Sequence, residues 1–308
     1  MFSPEDAVER LRASGSIWEV APGIYGLRGP IVSLLRDIES ALLDIARGET
    51  REEWIAPAAV SFETLERARY FESFPQWLTA ASHLTGDDHC LHEIAMSAAP
   101  GDAARSSLAR ADVALPPAIC YNTYAALANS VIESPVLITA QGLCWRHEGD
   151  RLAPLQRGWA FTMREIVCVG AERDVRDFLD RCVKRVSQLE RQLGLACEVV
   201  PASDPFFAPT ARGRAALQRI KALKHEMEFR FTDGQPLAIA SFNDHETFFG
   251  EAFRISLGDG APAWSGCVAF GLERWLLAIL ATHGLNPGDW PTSIAMSGNL
   301  EFIGSTEK

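Results

Sequence analysis

The stretch from Cys144 to Gly170, CWRHEGDRLAPLQRGWAFTMREIVCVG, constrains the fold more than any other part of the chain. Two apolar segments flank a polar, proline-containing turn, which is the pattern of an antiparallel hairpin. Yet the hairpin carries Arg146, His147 and Glu148 on its first arm and Arg157, Phe161, Arg164 and Glu165 on or before its second. A solvated sheet edge accounts for such charge as well as a binding site does, so the decision falls to the rest of the sequence.

With 308 residues, 47% of them hydrophobic and 22% charged, the chain can bury one large core or two modest ones. No run approaches the roughly 18 to 20 apolar residues of a membrane span. The start, MFSPEDAVERLRASG, is acidic and amphipathic where a signal peptide would be basic and then apolar, so a cytoplasmic protein with no membrane partner is expected. Seven cysteines (Cys90, Cys120, Cys144, Cys168, Cys182, Cys197 and Cys267) are odd in number and never form a Cys-x-x-Cys pair. That opposes a disulfide framework and a zinc ribbon, and reads most of them as buried thiols. A formal charge of -11 opposes a broad nucleic-acid surface.

Apolar residues at helical spacing from Ile31 to Ile45, with Gly48 at the C-cap position, predict a helix. Glu53 to Pro57 reads as a strand whose proline suits an edge, Thr64 to Glu72 as a helix, Pro116 to Tyr121 as extended, and Tyr124 to Ile132 as a helix. After the hairpin, Asp174 to Leu195 is a long amphipathic helix ending at Gly194. Strands follow at Glu198 to Val200, Glu228 to Phe231 and Leu237 to Phe242, with a weaker one at Ala252 to Leu257. Gly266 to Phe270 is a strand that passes at Gly271 into a helix, Leu272 to Thr282. Helices among hairpin-linked strands predict an α+β fold, an antiparallel sheet flanked by helices. No repeat or linker divides it, so residues 1–308 are expected to form one domain, with an N-terminal extension (1–30), a helical insertion (201–230) and a flexible tail (297–308).

Three pieces stand in an order that resembles motifs 1, 2 and 3 of the class II aminoacyl-tRNA synthetases. They are the helix and strand closing on Pro57, the Arg146-His147-Glu148 hairpin, and Gly271-Leu272-Glu273-Arg274 at a helix start. The resemblance covers roughly Ile31 to Pro291 and is nearest the atypical, zinc-containing seryl enzymes. It implies a class II catalytic domain in which Arg146 meets the α-phosphate of ATP, Glu148 the adenine amino group, Phe161 one face of the ring, and Arg274 the other face and the γ-phosphate. Arg146 and Arg274 are then the catalytic pair, and Ser241 belongs to the ATP and Mg²⁺ site.

On residue chemistry alone, Cys120 and Cys267 read as buried thiols. The flanking Cys120-Tyr121-Asn122-Thr123-Tyr124 and Met163-Arg164-Glu165 match the positions where those seryl enzymes hold Zn²⁺, so the resemblance implies Cys120, Glu165 and Cys267 as a three-ligand zinc site with one open position for a substrate amine. One departure concerns Mg²⁺: the usual glutamate on the strand before motif 3 is Ala238 here, while Ser241 is kept, which leaves the ion to the phosphates and to a neighbour such as Glu228. A tRNA-holding N-terminal domain has no counterpart in residues 1–30. With Ala240-Ser241-Phe242-Asn243-Asp244 and Phe248 to Phe253 before motif 3, the chain is similar to bacterial amino acid:[carrier protein] ligases.

That resemblance implies activation of glycine or alanine with ATP and transfer to the phosphopantetheine thiol of an acidic carrier protein, with no tRNA, by a homodimer paired through motif 1. The alternatives are a stand-alone tRNA-aminoacylating enzyme and a catalytically silent paralogue with a binding or regulatory role. Between Ala211 and Lys224 the sequence ARGRAALQRIKALK holds no acidic residue, and Arg212, Arg214, Arg219 and Lys221 are expected to flank an apolar helical face and dock the carrier protein.

Overall fold

A computed structural model describes residues 2–50, 52–207, 218 and 221–291 of the chain. Ser3 accepts a hydrogen bond from the Asp6 N–H (3.1 Å) and so caps α1 (Pro4–Ala13), which lays Ala7, Val8 and Leu11 into the core. The hairpin β1 (Ile17–Ala21) and β2 (Ile24–Leu27) leads to α2 (Pro30–Arg47). Ile31, Leu34, Ile38, Ala41, Leu42 and Ile45 of α2 recur at helical spacing, and all are buried within the chain. After β3 (Glu53–Ile55) comes a small three-stranded sheet of β4 (Val60–Ser61), β5 (Thr79–Ala81) and β6 (Val113–Leu115). It is interleaved with α3 (Phe62–Arg67), α4 (Tyr70–Ser73), α5 (Asp88–Met96) and α6 (Pro100–Ser106).

The remaining elements, in order, are α7 (Cys120–Ala126), β7 (Val131–Ile132), β8 (Val136–Trp145), β9 (Ala160–Gly170), α8 (Glu172–Gln192), β10 (Cys197–Pro201), β11 (Lys224–Arg230), β12 (Pro236–Asp244), α9 (Phe248–Phe253), β13 (Ser256–Leu257), β14 (Trp264–Gly271) and α10 (Leu272–His283). The main sheet has the order β10-β11-β12-β14-β9-β8-β3 and is antiparallel except for β3, which runs parallel to β8 at the edge. This is the expected α+β class.

Helices α2, α8 and α10 cover one face of the sheet. Successive strand residues point to opposite faces. Ile166 and Cys168 of β9, Met227 and Phe229 of β11 and Val268 and Phe270 of β14 therefore join the helices in the main core. Each large apolar side chain so buried contributes about 1.5–3 kcal/mol relative to exposure. The intervening residues face the other way, and that face carries the site. No helix among the described residues is long and apolar enough to cross a membrane.

Several sequence-based expectations are corrected. The helical insertion over 201–230 includes two strand segments, since β10 runs to Pro201 and β11 begins at Lys224. Lys224, expected at the end of the docking helix, belongs with Met227 to β11, because pairing with β10 and β12 recruits this segment and buries both residues. Arg212, Arg214 and Arg219 of the docking element, and the tail over 297–308, lie outside the described residues. The helix expected at Tyr124 to Ile132 starts at Cys120 and ends at Ala126, because the Glu165 carboxylate accepts from the N–H groups of Ile119 (3.1 Å) and Cys120 (2.9 Å) at its start. The helix over Thr64 to Glu72 is broken at Arg69, whose φ is 50°. Phe248 to Phe253 is helical where the weaker strand was expected to begin, and Arg254 (φ 55°) ends that helix before β13.

Candidate active site

The open face of the sheet forms the floor of a cavity of about 430 Å³. Alternation along the strands decides what reaches it: Met163 and Glu165 from β9, Cys267, Ala269 and Gly271 from β14, Ser241 and Asn243 from β12, and Glu226 from β11. Arg164, the neighbour of Glu165, points the other way. It is buried and bound to Glu39 (2.5 Å), Glu53 (3.0 Å) and the Thr139 hydroxyl (3.0 Å). Much of the hairpin charge that raised the question at the outset thus divides by strand parity, Arg164 bracing α2 and β3 and Glu165 entering the cavity.

Within the cavity the structure brings Cys120, Glu165 and Cys267 together, with their ligand atoms all within 4.8 Å of one another and all three residues buried. The Cys120 thiol and neighbouring donors set the electrostatics. A hydrogen bond from Cys120, together with His245 and Asn243, holds Cys267 well below the usual thiol range even though burial works against it. Cys120 is pushed up correspondingly by its bond to Cys267 and by burial. Burial and the Cys267 charge push Glu165 up to about 7, against the N–H groups that bond to it. Two cysteines and one glutamate crowded in a desolvated pocket, one thiol lowered and the other two groups raised, are donors that a soft divalent ion would hold deprotonated, and two thiolates with one carboxylate are a zinc donor set that leaves a tetrahedral position open.

Two arginines line the same cavity. Arg146 donates through Nε to the Pro117 carbonyl (2.9 Å), and its guanidinium lies 5.4 Å from the ring centres of both Trp77 and Phe161. Arg274 donates to the carbonyls of Gln156 (2.7 Å) and Ala238 (2.9 Å), and burial and then Arg146 hold it below the usual arginine range. The Glu273 carboxylate accepts twice from the Thr162 N–H (2.9 Å each), which ties the start of α10 to β9. Glu148 contacts Arg151 (3.5 Å) and Arg157 (3.7 Å), and it lines the cavity with Phe161, Arg157 and Ser241. Of the residues named from the sequence, Arg146, Glu148, Phe161, Ser241, Arg274, Cys120, Glu165 and Cys267 all line this one cavity. Glu228, named as a neighbour for Mg²⁺, does not: its carboxylate contacts Arg230 (3.6 Å), and Glu226 takes the cavity-facing place. Lys221 is bonded to both carboxylate oxygens of Glu246 (2.8 and 3.0 Å).

Sequence reasoning missed four contributors. His245 follows β12, with Nε2 3.9 Å from Cys267 Sγ and Nδ1 3.1 Å from the Tyr124 hydroxyl. Asn243 donates to Cys267 Sγ (3.5 Å) and to Ser241 Oγ (3.1 Å). Trp77 reaches the site from a part of the chain with no motif, stacked on Phe74 (5.2 Å), which is stacked on Phe206 (5.1 Å). Lys224 is buried between Asp204 (2.5 Å) and Glu226 (3.0 Å). Only His245 and Asn243 had a local signal, as polar residues closing an apolar strand.

Comparison with known proteins agrees with this arrangement. The tRNA synthetase class II core domain (G, H, P, S and T) matches residues 108–283. Amino acid–[acyl-carrier-protein] ligase 1 of Bradyrhizobium diazoefficiens is 33% identical over 275 residues, covering 88% of this chain and 83% of that protein. The type-2 serine–tRNA ligase of Methanococcus aeolicus is 27% identical over 282 residues, and the chain spans about half of its length (53%). Among solved structures, M. kandleri SerRS in complex with A. aeolicus tRNASec superposes with a TM-score of 0.85 at 22% identity, over 97% of this chain and 61% of that one. The chain belongs to the class II tRNA synthetase core family and, within it, to the amino acid–[acyl-carrier-protein] ligases.

Proposed function

We propose that the protein activates a small amino acid, glycine or alanine, with ATP and passes it to the phosphopantetheine thiol of an acidic carrier protein. The observation that carries this reading is the presence of a buried Cys-Glu-Cys cluster, the two arginines Arg146 and Arg274, and the Phe161 ring beside Arg146 in one cavity. Cys120, Glu165 and Cys267 would hold zinc, which when bound would supply a Lewis acid for the α-amino group of the substrate and so would select an amino acid over a simple acid. Tyr124, His245 and Phe249 crowd the Cys267 side of the cluster, which favours a short side chain.

The amino acid carboxylate attacks the α-phosphorus, its oxygen forms the new P–O bond, and pyrophosphate leaves. Negative charge grows on the α-phosphate oxygens during this step, and the Arg146 guanidinium, already fixed by the Pro117 carbonyl, stabilises it without reorganising. Phe161 and Arg274 enclose the adenine, Glu148 accepts from its amino group, and Arg274 and Arg157 offset the charge of the outer phosphates. In the second step the carrier thiol, losing its proton, attacks the carbonyl carbon of the adenylate, and AMP leaves. Residues 1–308 work as one catalytic unit, and Arg212, Arg214, Arg219 and Lys221 receive the carrier. The homodimer in this reading uses surface other than the apolar stripe of α2, which its own core consumes. Ile55, 98% exposed on the open edge of β3, is the element offered.

The test is ATP–pyrophosphate exchange over a panel of amino acids, followed by mass analysis of a phosphopantetheinylated carrier protein and of tRNA after incubation. Exchange with glycine or alanine and loading of the carrier alone is the expected result. Loading of tRNA would favour the stand-alone aminoacylating alternative, and absence of exchange the silent paralogue.

A further inference from the structure

Ser241 is directly opposite Glu226 across the β11–β12 ladder, and both side chains line the cavity. Glu226, and not Glu228, is the carboxylate of β11 that lines the cavity. Ile239 is an extra residue on β12: Met227 pairs with Ala240, but Glu228 pairs with Ala238. Glu228 contacts Arg230 (3.6 Å), and Ala238 opposite it offers only its carbonyl, which Arg274 occupies (2.9 Å). Glu226 has one oxygen 3.0 Å from Lys224 Nζ. Ser241 Oγ accepts from Asn243 (3.1 Å), and a hydroxyl oxygen has two lone pairs.

We propose that Glu226 and Ser241 hold the Mg²⁺ ion that arrives on the phosphates of ATP, the carboxylate having moved from β12 to β11. The proposal rests on the ATP-activating reading above. Arg146, Arg157 and Arg274 line the same cavity and draw a polyphosphate into it. A divalent ion bound there takes most of its shell from phosphate and water and needs only one or two protein oxygens, which this pair supplies. Lys224 makes the exchange feasible. Its ammonium is shared between Glu226 and Asp204, so when Mg²⁺ takes over Glu226 the lysine remains bonded to Asp204 (2.5 Å), and neither charge is left buried alone.

The experiment titrates Mn²⁺, as a paramagnetic stand-in for Mg²⁺, into the full chain with a non-hydrolysable ATP analogue, reading free Mn²⁺ by electron paramagnetic resonance and analogue binding by calorimetry. Glu226→Gln is expected to weaken Mn²⁺ binding in the ternary complex by about 10-fold or more, Glu228→Gln to leave it unchanged, and Ala238→Glu added to Glu226→Gln to recover part of it. Ser241→Ala, which removes only a hydroxyl and keeps every charge, is read in parallel and should also weaken it. Parental Mn²⁺ affinity in Glu226→Gln or in Ser241→Ala, with the analogue still bound, would overturn this site while leaving the ATP reading intact. Failure of the parent to bind the analogue with Mn²⁺ would overturn both.

Discussion

The Tyr25 hydroxyl accepts a hydrogen bond from the backbone N–H of Leu155 at 3.1 Å, joining the N-terminal hairpin to the loop between β8 and β9. Leu155 is buried with φ at 62°, an unfavourable conformation for a residue with a side chain, and the same loop presents Gln156 to Arg274. Gly23 supports the contact: its carbonyl accepts from the Trp159 N–H (2.8 Å), and a Cβ on Gly23 would lie 2.8 Å from that nitrogen. Tyr25→Phe should therefore leave a buried N–H without its acceptor and cost about 1–3 kcal/mol of stability. The KM for ATP should rise more than kcat falls. A parental KM for ATP and an unchanged denaturation midpoint would remove Tyr25 from the loop's support.

Purified protein should contain about one zinc per chain. Cys120→Ser and Cys267→Ser should each lose it together with amino acid activation, since each removes one of the three residues that would hold the ion. Metal analysis finding active enzyme free of zinc would sink this expectation.

Arg146→Ala should lower kcat for pyrophosphate exchange by about 10² to 10³-fold, the usual cost of one lost electrostatic stabiliser. Arg274→Ala should abolish exchange and also lose stability, because it removes donors to the carbonyls of Gln156 and Ala238. Arg274→Lys, which cannot reproduce the planar fork, should not restore activity. Near-normal exchange in either alanine variant would exclude that residue from the mechanism.

Glu273 gives a pH dependence with a definite sign. Burial holds its carboxyl above the usual range, against the Thr162 N–H, its own N–H and Arg274. A raised folded-state pKa means that protonation favours the fold. The contribution is complete below the ordinary glutamate value of about 4.3 and is lost as pH rises through the raised value. Between pH 4 and 8 the urea midpoint of the parent should therefore fall relative to that of Glu273→Gln, and parallel curves would contradict this.

Light scattering at micromolar concentration should give the mass of a dimer for the parent. Ile55→Asp, which places a charge on the open edge strand, should shift the protein toward monomer without unfolding it, because Ile55 supports no internal core. A parent that is monomeric would contradict the homodimer.

Charge reversal of Arg212, Arg214, Arg219 and Lys221 to Glu should slow transfer to the carrier protein and leave pyrophosphate exchange unchanged, with high salt acting in the same direction by screening. Transfer as fast as in the parent at low salt would move the docking surface elsewhere.

The local pattern of the sequence by itself determined α2, α8, α10 and the hairpin, because each is a long element whose apolar residues repeat at its own period and whose burial follows from that repeat. Ordered motifs in the hairpin and at the start of α10 also pointed to Arg146, Glu148, Phe161 and Arg274, and the residues flanking Cys120 and Glu165 to the Cys-Glu-Cys set, and all of these residues line one cavity. What only the tertiary structure decided was long-range pairing. The start of α7 depends on a carboxylate from β9, and β11 is a strand because two neighbours complete its hydrogen bonds. The place of Ser241 opposite Glu226 is set by the β11–β12 register. Trp77 and Tyr25 reach the cavity from segments without motifs, and nothing in the local sequence of these two or of His245 encodes the partners that fix them, because those partners are set by packing across the whole chain.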